Sequence, residues 1–190
     1  MQRERIVNLR DEAHIGEELT VCGWVRTFRN NQFIALNDGS CLGNLQLVID
    51  RESIPEATQK RLTTGTSIRA KGLLEKSQGQ GQLTELKVVE LEVLGDADPE
   101  VYPIQMKRHS LDFLREKAHL RFRTSTFGAV FRVRHALNFA IHKFFTDGGF
   151  FQMHTPIITG SDAEGAGEMF QVTTLDLNAP PRNEAGSVDF

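Results

Sequence analysis

The chain has 190 residues, of which 39% are hydrophobic and 25% are charged. These values are typical of a globular protein and exclude both a disordered chain and a chain that lies mainly in a membrane. No apolar stretch follows the first residues, 1–5, so we expect no secretory signal. Two cysteines, Cys22 and Cys41, cannot form a disulfide framework, and they predict reduced, buried thiols in a cytoplasmic protein.

The net charge of −3 is unevenly distributed along the chain. Residues 1–100 hold 12 basic and 16 acidic side chains, a net of −4. Residues 101–134 hold 8 and 2, a net of +6, and residues 135–190 hold 2 and 7, a net of −5. A cationic segment between two acidic ones is suited to phosphate groups, although a solvated helix face explains it equally well.

The first hundred residues predict five strands and one helix. Alternating β-branched, aromatic and apolar residues mark the strands, at 19–26, 33–36, 45–49, 67–74 and 84–94. Pro55 lies at the start of a short helical segment, 55–62, between the third and fourth strands. This order is that of the OB-fold, a small Greek-key barrel, although other small barrels have similar strand totals.

The second part of the chain predicts a different organisation. A segment with two prolines, 95–103, breaks every periodic pattern, and 109–120 then predicts a helix. Apolar residues recur at helical spacing from Ser125, with Thr124 or Ser125 as the N-cap and Gly148-Gly149 as the stop. A strand is predicted at 150–156. The expected domain bounds are 1–98 for the barrel, 99–124 for a linker, and 125–190 for the start of a second domain.

Four residues of the predicted barrel are candidates for binding single-stranded nucleic acid. Such binding uses cations for phosphate, an aromatic ring to stack on a base, and amides for base edges. Arg26 and Arg29 end the first strand region, Phe33 begins the second strand, and Gln46 lies in the third. The residues alone slightly favour a different interpretation, in which Phe33 belongs to the core and Gln46 merely faces solvent.

A glycine-rich loop near the end of the chain carries the other candidate site. Ser161, Glu164 and Glu168 lie in it, and either carboxylate is suited to an amine or a metal ion, although an ordinary acidic surface loop is also compatible with the pattern. The six histidines show no metal-ligand spacing, which argues against a zinc site. No Walker-type or dinucleotide-binding glycine pattern occurs.

Five stretches of the sequence together carry a family resemblance: 21–26, 61–65, 107–110, 114–121 and 161–170. They are similar to the N-terminal part of the bacterial-type asparaginyl-tRNA synthetases, class II aminoacyl-tRNA synthetases of the aspartate/asparagine/lysine subgroup. The resemblance covers essentially the whole chain, and the last three stretches are the most specific. It implies an all-β OB-fold barrel followed by the start of an α+β class II catalytic domain, whose antiparallel sheet is incomplete here.

The resemblance implies that the barrel binds the tRNA anticodon. The family has an arginine, a stacking phenylalanine and a glutamine where Arg29, Phe33 and Gln46 stand, and Arg26 is a fourth candidate. Phe33 is then expected to stack on the central anticodon base, which is a uridine.

The resemblance also assigns roles to the second part of the chain. Residues 127–159 resemble motif 1, which forms the homodimer interface of the family, and we expect Phe144, Phe145 and Pro156 at that interface. The loop from Ser161 to Glu168 is similar to the one that closes over the amino-acid substrate. Glu164 is expected there to bind the α-ammonium group of asparagine.

The implied reaction joins asparagine to its tRNA through an asparaginyl-adenylate, with ATP as substrate and Mg²⁺ as cofactor. The expected partners are the tRNA, asparagine and a second copy of the chain, with no membrane. The motifs that carry the ATP-binding arginines and magnesium carboxylates of the family do not occur before Phe190. We therefore expect an inactive fragment of a longer cytoplasmic enzyme, with its catalytic residues unknown and no metal site of its own.

Three other hypotheses remain open at the level of sequence. An aspartyl-tRNA synthetase of the same subgroup differs in its anticodon only at the third base. A non-catalytic OB-fold module that binds nucleic acid accounts for the missing motifs. A purely structural interaction protein has only the Phe-rich helix in its favour.

Overall fold

The structure is a computed structural model that describes residues 3–50, 52–158, 170 and 172–189. The chain forms two compact units, residues 1–140 and 141–190. The strands are β1 (Glu18–Arg29), β2 (Phe33–Asn37), β3 (Leu45–Val48), β4 (Ser67–Lys76) and β5 (Thr84–Gly95). The helices are α1 (Glu56–Arg61), α2 (Leu111–Glu116) and α3 (Ser125–Asp147), with 3-10 turns at Ile6–Leu9 and Arg121–Arg123.

The five strands close into a barrel in the order β1-β2-β3-β5-β4. β3 and β5 pair in parallel, whereas β1 with β2, β1 with β4, β2 with β3, and β4 with β5 are antiparallel. α1 lies between β3 and β4 in the chain. The predicted OB-fold is therefore confirmed, and each predicted strand agrees with an observed one to within three residues at either end.

The core of the barrel is made by the inward-facing residue at every second strand position. Ile34 and Leu36 of β2 and Leu45 and Leu47 of β3 are fully or almost fully buried. The 3-10 turn Ile6–Leu9, which the sequence did not predict, adds two further fully buried side chains to this core. Burial of apolar surface on this scale is the main stabilising contribution to a small barrel.

One glycine of the barrel is required by a close approach between strands. The pairing of β4 with β5 shifts register between Lys71 and Gly72, and a Cβ atom at Gly72 would collide with the backbone carbonyl of Lys87. A bulge of this kind bends and twists the strand. It helps β4 to reach both of its neighbours in the closed barrel.

α3 begins and ends where the sequence predicts. The Thr124 hydroxyl accepts a hydrogen bond from the Phe127 amide at 3.3 Å, which makes Thr124 the N-cap. At the other end Gly149 has a φ of +83°, and the Gly148 amide donates to the Phe144 carbonyl at 3.2 Å. This left-handed glycine is the usual stop signal of a helix.

One predicted element is shorter than expected and a second is absent. The expected helix over 109–120 is confirmed only for Leu111–Glu116, which Ser110 caps at its start and which ends where the Lys117 amide donates to the Phe113 carbonyl. Beyond this helix, the Arg121 guanidinium lies 4.7 Å from the ring centre of Phe127. The expected strand over 150–156 is absent from the described residues, since it finds no neighbouring strand with which to pair.

Candidate nucleic-acid interface

An open groove of about 630 Å³ lies on the outer surface of the barrel, and it contains three of the four predicted nucleic-acid-binding residues. These are Arg29, Phe33 and Gln46. We call this depression the outer groove. Its remaining lining residues are Asn30, Gln32, Val48, Glu75, Gln78, Gly79, Glu85 and Lys87.

Strand register explains why these side chains meet. One cross-strand row joins Arg29, Phe33, Val48 and Lys87 on β1, β2, β3 and β5. The residues of this row alternate with buried ones, so they all face away from the core. Phe33 is thus half-buried on the outer face, and the core position that the residues alone slightly favoured is wrong.

A second row contains Gln46 and runs parallel to the first. Gln46 pairs with Ala35 on β2 and with Glu85 on β5, and Glu85 pairs in turn with Glu75 on β4. Ala35 is small, so little side-chain bulk stands between Phe33 and Gln46 on this face. A ring and an amide side by side are the elements that a splayed-out RNA base requires.

The amide of Gln46 is held by a hydrogen bond to Glu85, whose carboxylate accepts from two further side chains. Its Nε2 donates to Oε2 of Glu85 at 3.2 Å. The same carboxylate oxygen accepts from Ser77 Oγ at 2.9 Å and from Gln82 Nε2 at 3.5 Å. Gln46 is therefore fixed before any ligand binds, which lowers the entropic cost of binding.

The turn that joins β1 to β2 determines where the groove ends. Asn30 and Asn31 have φ values of +53° and +51°, a left-handed conformation that asparagine tolerates better than most residues. The turn brings Arg29 directly opposite Phe33. Arg29 is exposed there and is free to approach a phosphate of a nucleic acid that stacks on Phe33.

Sequence analysis missed three charged residues of the groove, Glu75, Glu85 and Lys87. Glu85 and Lys87 belong to β5, which reaches β3 by a parallel pairing that no local pattern reveals. Their alternation with buried Leu86 and Val88 marked them as outward-facing. Only the closed topology shows that they face the same groove as Phe33.

Arg26, the fourth predicted residue, does not line the outer groove. β1 shifts register between Val25 and Thr27, and this bulge turns Arg26 away from the row that contains Arg29. Its Nη1 donates to the carbonyl oxygen of Arg123 at 2.7 Å. Burial lowers the pKa of its guanidinium, as does nearby Arg123, whereas Tyr102 opposes that shift.

The neighbouring side chains support a packing role for this region. The Arg123 guanidinium lies 4.1 Å from the ring centre of Trp24, which is a cation–π contact. Farther along the chain, the guanidinium of Arg132 in α3 donates to the Gly39 carbonyl at 2.5 Å. Within the first unit, these contacts join residues 121–132 to the barrel.

The predicted interface residues of the second unit are exposed. Phe144 and Phe145 are 74% and 50% accessible, and Pro156 is also exposed. The rings of Phe144 and Phe145 meet edge to face with their centres 5.4 Å apart, and Phe145 meets Phe150 in the same way at 5.7 Å. The three rings thus form an apolar patch at the end of α3.

The remaining predictions concern the substrate loop, metals, thiols and membranes. Ser161, Glu164 and Glu168 lie outside the described residues. Within the described part of the chain, no group of three His, Cys, Asp or Glu side chains is arranged to hold a metal ion, and no helix has the length and apolar character needed to cross a membrane. Cys22 and Cys41 are free thiols, but they are half-buried and not fully buried as predicted.

Comparison with known families and structures defines the class of the protein. Residues 19–94 match the OB-fold nucleic acid binding domain, and residues 110–179 match the tRNA synthetases class II (D, K and N). The barrel and the segment that follows it are therefore similar to two successive domains of the class II tRNA synthetases of this group.

Over its whole length, the chain corresponds to the N-terminal portion of the asparagine–tRNA ligases. It is 52% identical to asparagine–tRNA ligase from Parabacteroides distasonis, an alignment that covers 100% of this chain and 41% of that protein. Identity to the Nostoc sp. ligase is also 52%, with 100% of this chain and 42% of that protein covered. The chain thus spans about two fifths of the length of these curated relatives.

Solved structures of related synthetases share the fold. Asparaginyl-tRNA synthetase from Pyrococcus horikoshii, complexed with asparaginyl-adenylate, superimposes with a TM-score of 0.78 at 22% identity, covering 91% of this chain and 41% of that one. The Entamoeba histolytica asparaginyl-tRNA synthetase gives 0.67 at 24% identity, with coverages of 77% and 36%. At these identities the likeness establishes the barrel and the start of the synthetase domain as a shared architecture.

Proposed function

We propose that this chain is the anticodon-binding part of an enzyme that attaches asparagine to its tRNA. The observation that carries the proposal is the outer groove, which gathers Arg29, Phe33 and Gln46 on one face of an OB barrel. The identity of the amino acid and of the tRNA is inferred from the asparagine–tRNA ligases, to which the chain is about 50% identical. Phe33 stacks on the central anticodon base, Gln46 contacts its edge, and Arg29 neutralises a neighbouring phosphate.

The complete enzyme carries out two group transfers. The carboxylate of asparagine attacks the α-phosphate of ATP, which forms asparaginyl-adenylate and releases pyrophosphate. A terminal ribose hydroxyl of the tRNA then attacks the carbonyl carbon, takes the asparaginyl group and releases AMP. The described residues offer no ligand set for Mg²⁺, so no step is assigned to that ion in this chain.

The loop that contains Ser161, Glu164 and Glu168 is proposed to close over asparagine. The support is the resemblance of this stretch to the family, in which the position of Glu164 binds the α-ammonium group. A Glu164→Gln change in the complete enzyme should then raise the KM for asparagine and leave anticodon binding unchanged. An unchanged KM would contradict the assignment.

We propose that α3 forms part of a homodimer interface in the cytoplasm. The exposed aromatic patch of Phe144, Phe145 and Phe150 supports this proposal, because contiguous exposed apolar surface favours association with another protein surface. Sedimentation should show a dimer for the complete enzyme and a monomer for its Phe144→Glu variant. A monomeric parent, or a variant that stays dimeric, would contradict the interface.

The test of the main proposal is the affinity of the chain for three anticodon stem-loops, which carry GUU, GUC and UUU. Measured across a salt series, GUU should bind most tightly. Equal affinity for GUU and GUC would favour the aspartyl enzyme as the second candidate. Absence of binding at low salt would contradict an anticodon-binding role.

A further inference from the structure

We infer that Glu85 is a positioning residue, which sets the direction of the Gln46 amide and thereby makes the outer groove prefer uridine to cytidine at the base that stacks on Phe33. The inference rests on the proposed anticodon-binding function. It adds a residue that contacts Gln46 and not the base, and a physical reason for discrimination between two bases of nearly the same shape.

The geometry begins with the pairing of β3 and β5. Gln46 and Glu85 are direct register partners in this parallel pair, and their side chains leave the same face of the sheet. The 3.2 Å hydrogen bond from Gln46 Nε2 to Glu85 Oε2 joins them. Backbone pairing, and not a mobile loop, therefore holds the two groups together.

Glu85 is itself anchored on its other side. Ser77 Oγ and Gln82 Nε2 both donate to its Oε2, and Gln82 Nε2 also lies 3.0 Å from Ser77 Oγ. Ser77 and Gln82 belong to the connection between β4 and β5. These hydrogen bonds hold the Glu85 carboxylate in place beside Gln46.

The chemistry of a carboxylate decides which way the amide faces. An ionised carboxylate only accepts hydrogen bonds, whereas an amide has a donating NH₂ group and an accepting carbonyl. If the Gln46 amide turned over, its carbonyl oxygen would face the Glu85 carboxylate, and two acceptors would repel each other. The NH₂ group of Gln46, one of whose two N–H bonds is used by Glu85, therefore stays on the side of the carboxylate, and the carbonyl oxygen is turned toward the base.

A fixed carbonyl distinguishes the two pyrimidines. Uracil carries an N3–H donor on its Watson–Crick edge, which a carbonyl oxygen accepts. Cytosine carries an N3 acceptor at the same place, which a carbonyl oxygen repels. A glutamine that could turn over would satisfy either base, so the preference for uridine depends on the residue that prevents the turn.

Glu75 provides a matched control for charge. It lines the same groove, is the register partner of Glu85 across β4 and β5, and has no described hydrogen bond to Gln46. Removing either carboxylate takes one negative charge from an RNA-binding surface, which should strengthen binding of all stem-loops alike. Only the loss of Glu85 should change the ratio between two bases.

The experiment measures affinities for two stem-loops that differ only at the middle anticodon base, GUU and GCU, with the chain and its Glu85→Gln and Glu75→Gln variants. The chain itself should prefer the uridine loop by about tenfold, as expected for one well-formed base-edge contact. Glu85→Gln lets the Gln46 amide adopt both orientations, and the ratio should fall to about twofold as the cytidine loop gains affinity. Glu75→Gln should tighten both loops and keep the ratio.

A second variant tests the same idea without a change in charge. Ser77→Ala removes one anchor of Glu85 and should lower the ratio by a smaller factor, with the unfolding transition unchanged. A Glu85→Gln protein that keeps the full ratio would overturn the positioning role and leave the anticodon proposal intact. A chain that binds neither loop, or binds both equally, would overturn the proposed function itself.

Discussion

The barrel and α3 use apolar residues in opposite ways. In the barrel, alternate strand positions such as Ile34 and Leu47 are fully buried. In α3, every residue of which is described, no side chain is buried, and Phe139 and Phe144 are 68% and 74% accessible. Hydrophobic periodicity alone therefore indicates a helix, whereas burial requires a partner surface that the periodicity does not identify.

Phenylalanine illustrates the same contrast within one residue type. Phe33 lies on β2, in which every second residue is buried in the barrel core. Its ring is therefore half-buried on the outer face, where a base can stack on it. Phe144 and Phe145 contact each other and Phe150 at an exposed helix end. The first arrangement suits recognition of a small planar group, and the second suits association with another apolar surface.

The largest expected difference is in stability. Leu47→Ala should lower the free energy of unfolding of the barrel by ~2–5 kcal/mol, because it leaves a cavity in a closed core. Phe144→Ala should change that free energy by less than about 0.5 kcal/mol, as is usual for an exposed site. Urea titration followed by the fluorescence of Trp24, the single tryptophan, measures both. Equal losses would show that Phe144 is covered in solution.

Asp38 should make the stability of the barrel sensitive to acid. Burial alone would raise the pKa of Asp38, but hydrogen bonds from Ser40 and the Ile6 amide outweigh it and hold that pKa below its ordinary value. Its ionised form therefore stabilises the fold above about pH 4, and this contribution is lost as the pH falls through the lowered pKa.

Asp38→Asn should accordingly cost about 1 kcal/mol of unfolding free energy near neutral pH, through weakened hydrogen bonds to a formerly charged group. The cost should shrink toward zero in strong acid, where the parent carboxyl is protonated as well. Urea titrations of both proteins at several pH values give the difference. A cost that is the same at every pH would contradict the lowered pKa.

Arg26→Ala should separate packing from RNA binding. The variant loses the hydrogen bond to the Arg123 carbonyl, which should lower the free energy of unfolding by about 1 kcal/mol. Its affinity for the GUU stem-loop should match that of the parent, because Arg26 does not line the outer groove. A large loss of affinity with unchanged stability would indicate that Arg26 contacts the anticodon.

The smallest expected effect is on salt dependence. Arg29→Ala should reduce the slope of log affinity against log salt by about 0.7, the contribution of one phosphate contact with a single strand. Arg134→Ala, which removes an exposed cation from α3, should leave the slope for an anticodon stem-loop unchanged. Equal slopes for the two variants would place the phosphate contacts outside the groove.

Local sequence patterns predicted most of the barrel, because its strands alternate cleanly between core and solvent. The pattern of 33–36 and 45–49 places Phe33 and Gln46 on one face once the fold is known. It could not reveal the bulge at Arg26, since a single inserted residue leaves no separate signal in composition. It also could not reveal the parallel pairing that brings Glu85 beside Gln46, because the two lie far apart in the chain.

The second part of the chain was harder to predict for a related reason. α3 was predicted to within a residue, because its caps at Thr124 and Gly149 are local signals. The end of α2 at Glu116 and the absence of a strand over 150–156 have no comparable local signal in the sequence. The roles of Phe144 and Phe145 depend likewise on a partner surface, so they remain proposals.

Two phenylalanine variants test whether the outer groove binds the anticodon. Phe33 lines the groove, whereas Phe122 is 50% accessible and lies outside it. Affinities of Phe33→Ala and Phe122→Ala for the GUU stem-loop should be measured at one fixed salt concentration. We expect Phe33→Ala to weaken binding by ~1–3 kcal/mol, as loss of a base-stacking ring does, and Phe122→Ala to leave it unchanged. Equal affinities of both variants and the parent would contradict stacking of the anticodon on Phe33.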